Sequence, residues 1–236
     1  GMIDRIKGFI KPYTICPLLA VLGFNCLVYW AAMALAENRA AYDLTTAFDR
    51  AVPFLPWTVS VYLVCYLFWG INYLLVGHLS KKEFYQFVTA ELGCKMICFL
   101  IFVAMPTTNV RPEITGNGIW DQIMRWLYHA DQPLNLFPSI HCLVSWFCYI
   151  PIRGDERIPR RYRIFSCVFA LMVCVSTQTT KQHYIADLVA GILLAEAGLF
   201  VSRHTRMWEI TQRFFERIRP EGENNASGEP SAQRKE

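Results

Sequence analysis

An all-α integral membrane bundle of six transmembrane helices with interfacial helices is the fold class this sequence predicts, on three observations. Hydrophobic residues make up 54% of the 236 residues and charged residues only 18%, with a mean hydropathy of +0.25. A soluble domain carries about 25% charge, so the chain is short of groups that keep a surface wet. Six apolar stretches recur along it, and the basic residues gather beside alternate ends of those stretches. The same totals argue against disorder, collagen-like repetition and an ordinary soluble fold, and a net charge of +4 is too small to argue for nucleic acid.

Gly1 ahead of Met2 reads as a cloning remnant. The first span runs from about Pro17 to Ala36, the second from Trp57 to Gly77 and the third from Phe84 to Met105. The fourth covers Ile140 to Ile152, the fifth Ile164 to about Val175 and the sixth Tyr184 to Val201. A spanning helix needs about 20 residues to cross roughly 30 Å of hydrocarbon. The fourth and fifth reach that length only if Phe137 to Ser139 and Ser176 to Thr180 are helical as well, with their polar ends facing protein. The basic start, apolar run and Ala34-Leu35-Ala36 of the first span also resemble a cleavable signal. Signal cores are about 7–15 residues, and this run is longer, so a retained helix is expected.

Basic residues set the orientation. With a cytoplasmic N-terminus, the inner side holds Arg5, Lys7, Lys11, Lys81, Lys82, five arginines from Arg153 to Arg163 and five from Arg203 to Arg219. The outer side holds only Arg39, Arg50, Arg111, Arg125 and Lys181. By the positive-inside rule both termini are cytoplasmic, in a multi-pass protein of the cell (inner) membrane.

Two further segments are amphipathic. Ile119 to His129 suits a short helix in the outer headgroup layer. Arg203 to Arg219 carries Met207, Ile210, Phe214 and Ile218 on one stripe and suits the inner leaflet. The expected organisation is a six-span domain over 1–202, an amphipathic helix over 203–219 and a disordered tail over 220–236. The nine cysteines sit in or against apolar runs and show no metal-ligand spacing, so they are read as small buried hydrophobes. Glu91 and Lys95, four apart and deep in the third span, are expected to pair. Glu196 is placed at similar depth.

Polar groups at the lip of a membrane bundle are costly and are candidates for function. Here Arg111 follows the third span, His141 opens the fourth, and Lys181, His183 and Asp187 open the sixth, all at the outer end. His183 and Asp187 stack on one helical face, so the carboxylate can hold one ring nitrogen and leave the other as nucleophile or base. Ser139 is a helix cap, and the amides beside it, with Arg111 and Lys181, suit a phosphate. Each has a plain alternative: an interfacial hydrogen bond for a lone histidine, snorkelling for Arg111 and Lys181.

Pro138-Ser139-Ile140-His141, His183-Tyr184-Ile185-Ala186-Asp187 and Arg111-Pro112 together resemble the type 2 phosphatidic acid phosphatase superfamily, over roughly residues 100–200. Departures at Ala104, Ile140 and Ser176-Thr177 make the chain more similar to the branch containing inositol phosphorylceramide and sphingomyelin synthases. The resemblance implies a lipid phosphate substrate taken from the bilayer. In the implied mechanism His183 attacks phosphorus to form a phosphohistidine, with Asp187 orienting it. His141 is the acid and base, and Arg111, Lys181 and the backbone of Ser139 and Ile140 hold the phosphate oxygens. It implies no cofactor and no metal, a site facing the periplasm or exterior, and water as acceptor, with a lipid alcohol as the alternative. A homodimer is a candidate assembly. Rival readings are a haem or zinc site on the histidines, and a non-catalytic transporter or scaffold.

Overall fold

The computed structural model describes residues 10–218, so the expected tail over 220–236 lies outside the described residues. Helix α1 (Pro12–Ala36) starts on a proline, tolerated in a first turn because that N–H has no intrahelical acceptor. A two-residue strand β1 (Tyr42–Asp43) and a short helix α2 (Ala47–Ala51) follow. A 3-10 turn at Pro56–Thr58 leads into α3 (Val59–Val76). Ser80 and Glu83 cap the start of α4 (Lys81–Ala104) reciprocally, which fixes where that apolar helix begins. Strand β2 (Thr107–Thr108) comes next. Then follow α5 (Ile119–Ala130), α6 (Ile140–Phe147), α7 (Arg160–Thr179), α8 (Ile185–His204) and α9 (Met207–Ile218).

Among the described residues five helices are long and apolar enough to cross a membrane: α1, α3 with its leading turn, α4, α7 and α8. The all-α membrane bundle is therefore present, but the fourth predicted span differs from the other five. Phe137 to Ser139 are not helical; Ser139 is extended, with ψ 113°, and caps a helix of only eight residues. Turns continue to Gly154, because Pro151 cannot donate to a helical ladder and Gly154 adds backbone freedom. Leu143, Phe147, Ile150 and Ile152 are buried, so this segment is sheathed by the other helices and has no lipid-facing length to supply. The polar end of the fifth span does extend the helix, with Ser176 to Thr179 helical and buried.

Two apolar faces follow the amphipathic reading. On α5, Met124 and Leu127 pack with Val59 and Tyr62 while Ile119 and Trp126 stay exposed. On α9, Phe215 is buried and Met207, Ile210, Phe214 and Ile218 are exposed. Lys81 pairs with Glu216 at 2.8 Å, which ties α9 beside the start of α4. Arg157 also reaches that start, 2.8 Å from Glu83, and Arg153 pairs with Glu196 at 2.8 Å. Glu196, which also accepts from the Trp146 indole, is thus part of the basic end of the bundle. The other end carries the histidines. All nine cysteines are free.

Candidate active site

Backbone pairing gathers three distant stretches at that end. Tyr42 pairs with Thr107 in a short parallel ladder. The Thr107 hydroxyl accepts from the amides of Leu136 and Phe137, both at 2.9 Å, and its carbonyl accepts from Asn135 N–H at 2.8 Å. The loop before α6 is therefore pinned to the chain leaving α4. Beyond α7 the chain folds back sharply, with the amides of Gln182 and His183 both donating to the Thr177 carbonyl at 3.0 Å. Lys181 sits at the apex in left-handed backbone, φ 56°, and its carbonyl accepts from the Asn109 amide.

Helices α6 and α8 meet at their first turns. Ser139 N–H donates to the Asp187 carbonyl at 3.0 Å, and Ser139 Oγ accepts from Cys142 N–H at 3.2 Å. The approach is close because position 191 is glycine: a Cβ there would lie 2.6 Å from the Ser139 carbonyl oxygen.

This crossing brings the two imidazoles together, with ring centroids 5.9 Å apart. His183 Nδ1 is 3.4 Å from Asp187 Oδ2, an ion-pair distance, and the same oxygen accepts from Tyr184 N–H at 2.9 Å. Asp187 thus caps α8 and faces the ring at once. Burial works against charge on His183, but the carboxylate of Asp187 beside it outweighs this and holds the imidazolium above its ordinary range, although Nδ1 makes no hydrogen bond in this geometry. His141 is enclosed by aromatics: Tyr62 stacks on it at 4.5 Å, Trp69 lies at 5.3 Å, and Tyr66 Oη is 3.2 Å from Nε2.

Both histidines and Ile140 line a cavity of about 430 Å³ whose remaining walls come from α1, α3, Phe102 of α4, α5 and the loop before α6. Arg111 and Lys181 are not in its lining; both are engaged elsewhere. Arg111 stacks over Tyr128 at 4.6 Å and donates to the carbonyls of Tyr128 and Asp131 and to the Gln182 side chain, leaving Nε buried and unpartnered. Burial lowers its pKa, opposed chiefly by Asp131. Lys181 Nζ donates to the carbonyls of Asp49, at 2.7 Å, and Val52, and burial draws its pKa down against the pull of Asp49. Ser139 N–H is likewise committed to Asp187. The first-turn amides of Ile140 and His141 have no intrahelical acceptor. Among the described residues no group of three or more His, Cys, Asp or Glu is placed to hold a metal ion.

Sequence reasoning missed Tyr62, Tyr66 and Trp69, although their spacing of four and three puts them on one helical face. It also missed Asp131, which lines the cavity and accepts from the Tyr29 hydroxyl at 3.0 Å.

Neither a curated protein nor a solved structure matched the chain. A family model described as the PAP2 superfamily matches residues 44–201, a stretch holding both histidines, Asp187, Arg111 and the loops that pin them. With more than half its length covered, this chain belongs to the PAP2 superfamily, as a membrane-integral member of a phosphatase-type group.

Proposed function

We propose that this protein is a metal-independent lipid phosphate phosphohydrolase that cleaves a phosphomonoester or pyrophosphate through a phosphohistidine. The observation that carries the reading is the 5.9 Å separation of the two imidazoles in one cavity, with a carboxylate behind only one of them. That asymmetry assigns the roles. His183, oriented through Nδ1 by Asp187, uses Nε2 to attack phosphorus; the bond to the lipid oxygen breaks and His141 gives that oxygen a proton. His141 then takes a proton from water, whose oxygen attacks the phosphohistidine, releasing phosphate and restoring His183.

Charge stabilisation is assigned in two layers. The free amides of Ile140 and His141, on the turn that Ser139 caps, face the phosphate oxygens. Arg111 and Lys181, locked by carbonyls, act from behind as fixed positive charge. The distribution of basic residues supports cytoplasmic termini and a site opening to the periplasmic or extracellular side of the cell membrane.

Phosphate release from a panel of lipid phosphates in detergent tests the reading. His183→Ala is expected to lower it by about 10⁴-fold, and vanadate is expected to inhibit the unmodified chain. Release that survives in His183→Ala overturns the proposal, and phosphate turnover that requires an added alcohol moves it to headgroup transfer. Gly191→Ala tests the helix crossing separately. Its Cβ would meet a backbone oxygen, so α6 must move, and kcat is expected to fall about tenfold to a hundredfold with helical content retained. Steady-state kinetics alongside circular dichroism checks this.

A further inference from the structure

Asp49 is buried, with 1% of its surface exposed, and the chemistry at phosphorus does not use it. Its two carboxylate oxygens serve different partners. Oδ2 accepts from the Thr46 N–H at 2.7 Å and the Thr46 hydroxyl at 2.6 Å, closing the capping box of α2. Oδ1 leaves that helix and accepts from the Ile185 N–H at 2.8 Å, 136 residues away in the chain. Ile185 is the first residue of α8, where backbone N–H groups have no intrahelical acceptor. The carbonyl of the same Asp49 accepts from Lys181 Nζ at 2.7 Å. Both ends of the stretch from Lys181 to Ile185 are therefore tied to one residue, and His183 is its midpoint.

The stretch needs such a tie. Lys181 has left-handed backbone, φ 56°, a conformation that persists only where surrounding contacts enforce it. The same outer segment grips the chain just ahead of it: Leu55 N–H donates to the Thr179 carbonyl at 2.9 Å, and the Thr58 and Thr179 hydroxyls are 2.8 Å apart. At the far end, Tyr184 N–H donates to Asp187 Oδ2, the oxygen that lies 3.4 Å from His183 Nδ1. With the next N–H, that of Ile185, held by Asp49, one donor fewer competes for the Asp187 carboxylate. We propose that Asp49 is a positioning residue: it fixes the first turn of α8, and through that turn the placement of His183 against Asp187 for attack on phosphorus. This role rests on the phosphohistidine reading above. Asp49 and Ile185 lie outside the cavity lining, so the tie bears on the chemical step and not on substrate binding.

Three variants separate the tie from the charge and from the folding of α2. Asp49→Ala removes the acceptor. Ile185→Pro removes the donor and keeps the Asp49 charge; proline suits a first helical position, and Tyr184 before it is already extended. Asp49→Asn removes the charge and disturbs the capping box but keeps an oxygen for Ile185. Asp49→Ala and Ile185→Pro are each expected to lower kcat for a lipid phosphate by about 30- to 100-fold, with KM within about threefold. The double variant is expected to be no worse than either single one, because both cut the same bond, and Asp49→Asn to keep most of the native kcat. The groups facing the His183 ring are Asp187 beside it, His141 and Cys142 from α6, and Asp131 from the loop before α6. Once Asp187 is free to recede, burial outweighs it and the acid limb of kcat moves to lower pH in both Asp49→Ala and Ile185→Pro. Native kcat in either variant, losses that multiply in the double variant, a loss in Asp49→Asn as large as in Asp49→Ala, or an acid limb that stays in place overturns the inference and leaves the hydrolase reading intact. Where Asp49→Ala does not fold, Ile185→Pro against Asp49→Asn carries the comparison. If the unmodified chain releases no phosphate, the hydrolase reading has failed, and the titration midpoint of His183, followed by the NMR signal of its ring, carries the test. A midpoint lowered in Ile185→Pro then upholds the tie, and an unchanged one overturns it.

Discussion

Asp187→Asn is expected to lower kcat/KM by about 10³- to 10⁴-fold, because an amide can present its N–H to the ring and hold the wrong tautomer. The loss should depend on pH in a stated direction. In the native site burial disfavours the charged His183 ring, but Asp187 outweighs it and raises the pKa above the ordinary value of about 6.5. A nucleophilic imidazole must be neutral, so the share of His183 able to attack rises with pH through that raised pKa, and this acid limb lies above about 6.5. With the carboxylate gone, burial dominates and the limb moves to lower pH. The deficit of the variant is therefore smallest in acid and grows toward pH 8. A pH series of phosphate release checks both points. A variant whose acid limb stays where the native one lies would show that another group titrates.

The carboxylate and the histidine could be found in the sequence because they sit at a spacing of four in an otherwise apolar stretch, where a polar pair stands out. The same contrast exposed His141 and the long helices. What stayed hidden was whatever depended on backbone partners or on chain reversal. Lys181 looked like a free cation at the membrane lip; the structure spends its ammonium on two carbonyls near the end of α2, about which side-chain identity says nothing. Asn135 lies in an ordinary loop sequence, and its left-handed backbone follows from Thr107, distant in the chain. Tyr62, Tyr66 and Trp69 were read as part of an apolar span because an aromatic facing lipid and an aromatic facing an imidazole have the same hydropathy. The fourth span failed for another reason. Burial of Leu143 and Phe147 by surrounding helices removes the length requirement that a lipid-exposed helix must meet.

Glu91 and Lys95 provide the other large effect, on stability. The two charges are 3.0 Å apart with almost no exposure, 0% for Glu91 and 2% for Lys95, and the Tyr73 hydroxyl donates to the same carboxylate. Neither residue lines the cavity, so the pair is assigned to packing of α4 against α3. Lys95→Met leaves a buried carboxylate with only a phenol to satisfy it, and breaking one side of such a pair costs about 3–5 kcal/mol. The apparent Tm in detergent is expected to fall by about 6–20 °C. Glu91→Gln combined with Lys95→Met removes both charges and should regain most of the loss, because the cost of an isolated ion disappears with the ion. Turnover per folded molecule is expected to stay within about threefold of the native value in the double variant. If the double variant recovers Tm but loses turnover about a hundredfold, the pair is serving the phosphate site, and packing is not its role.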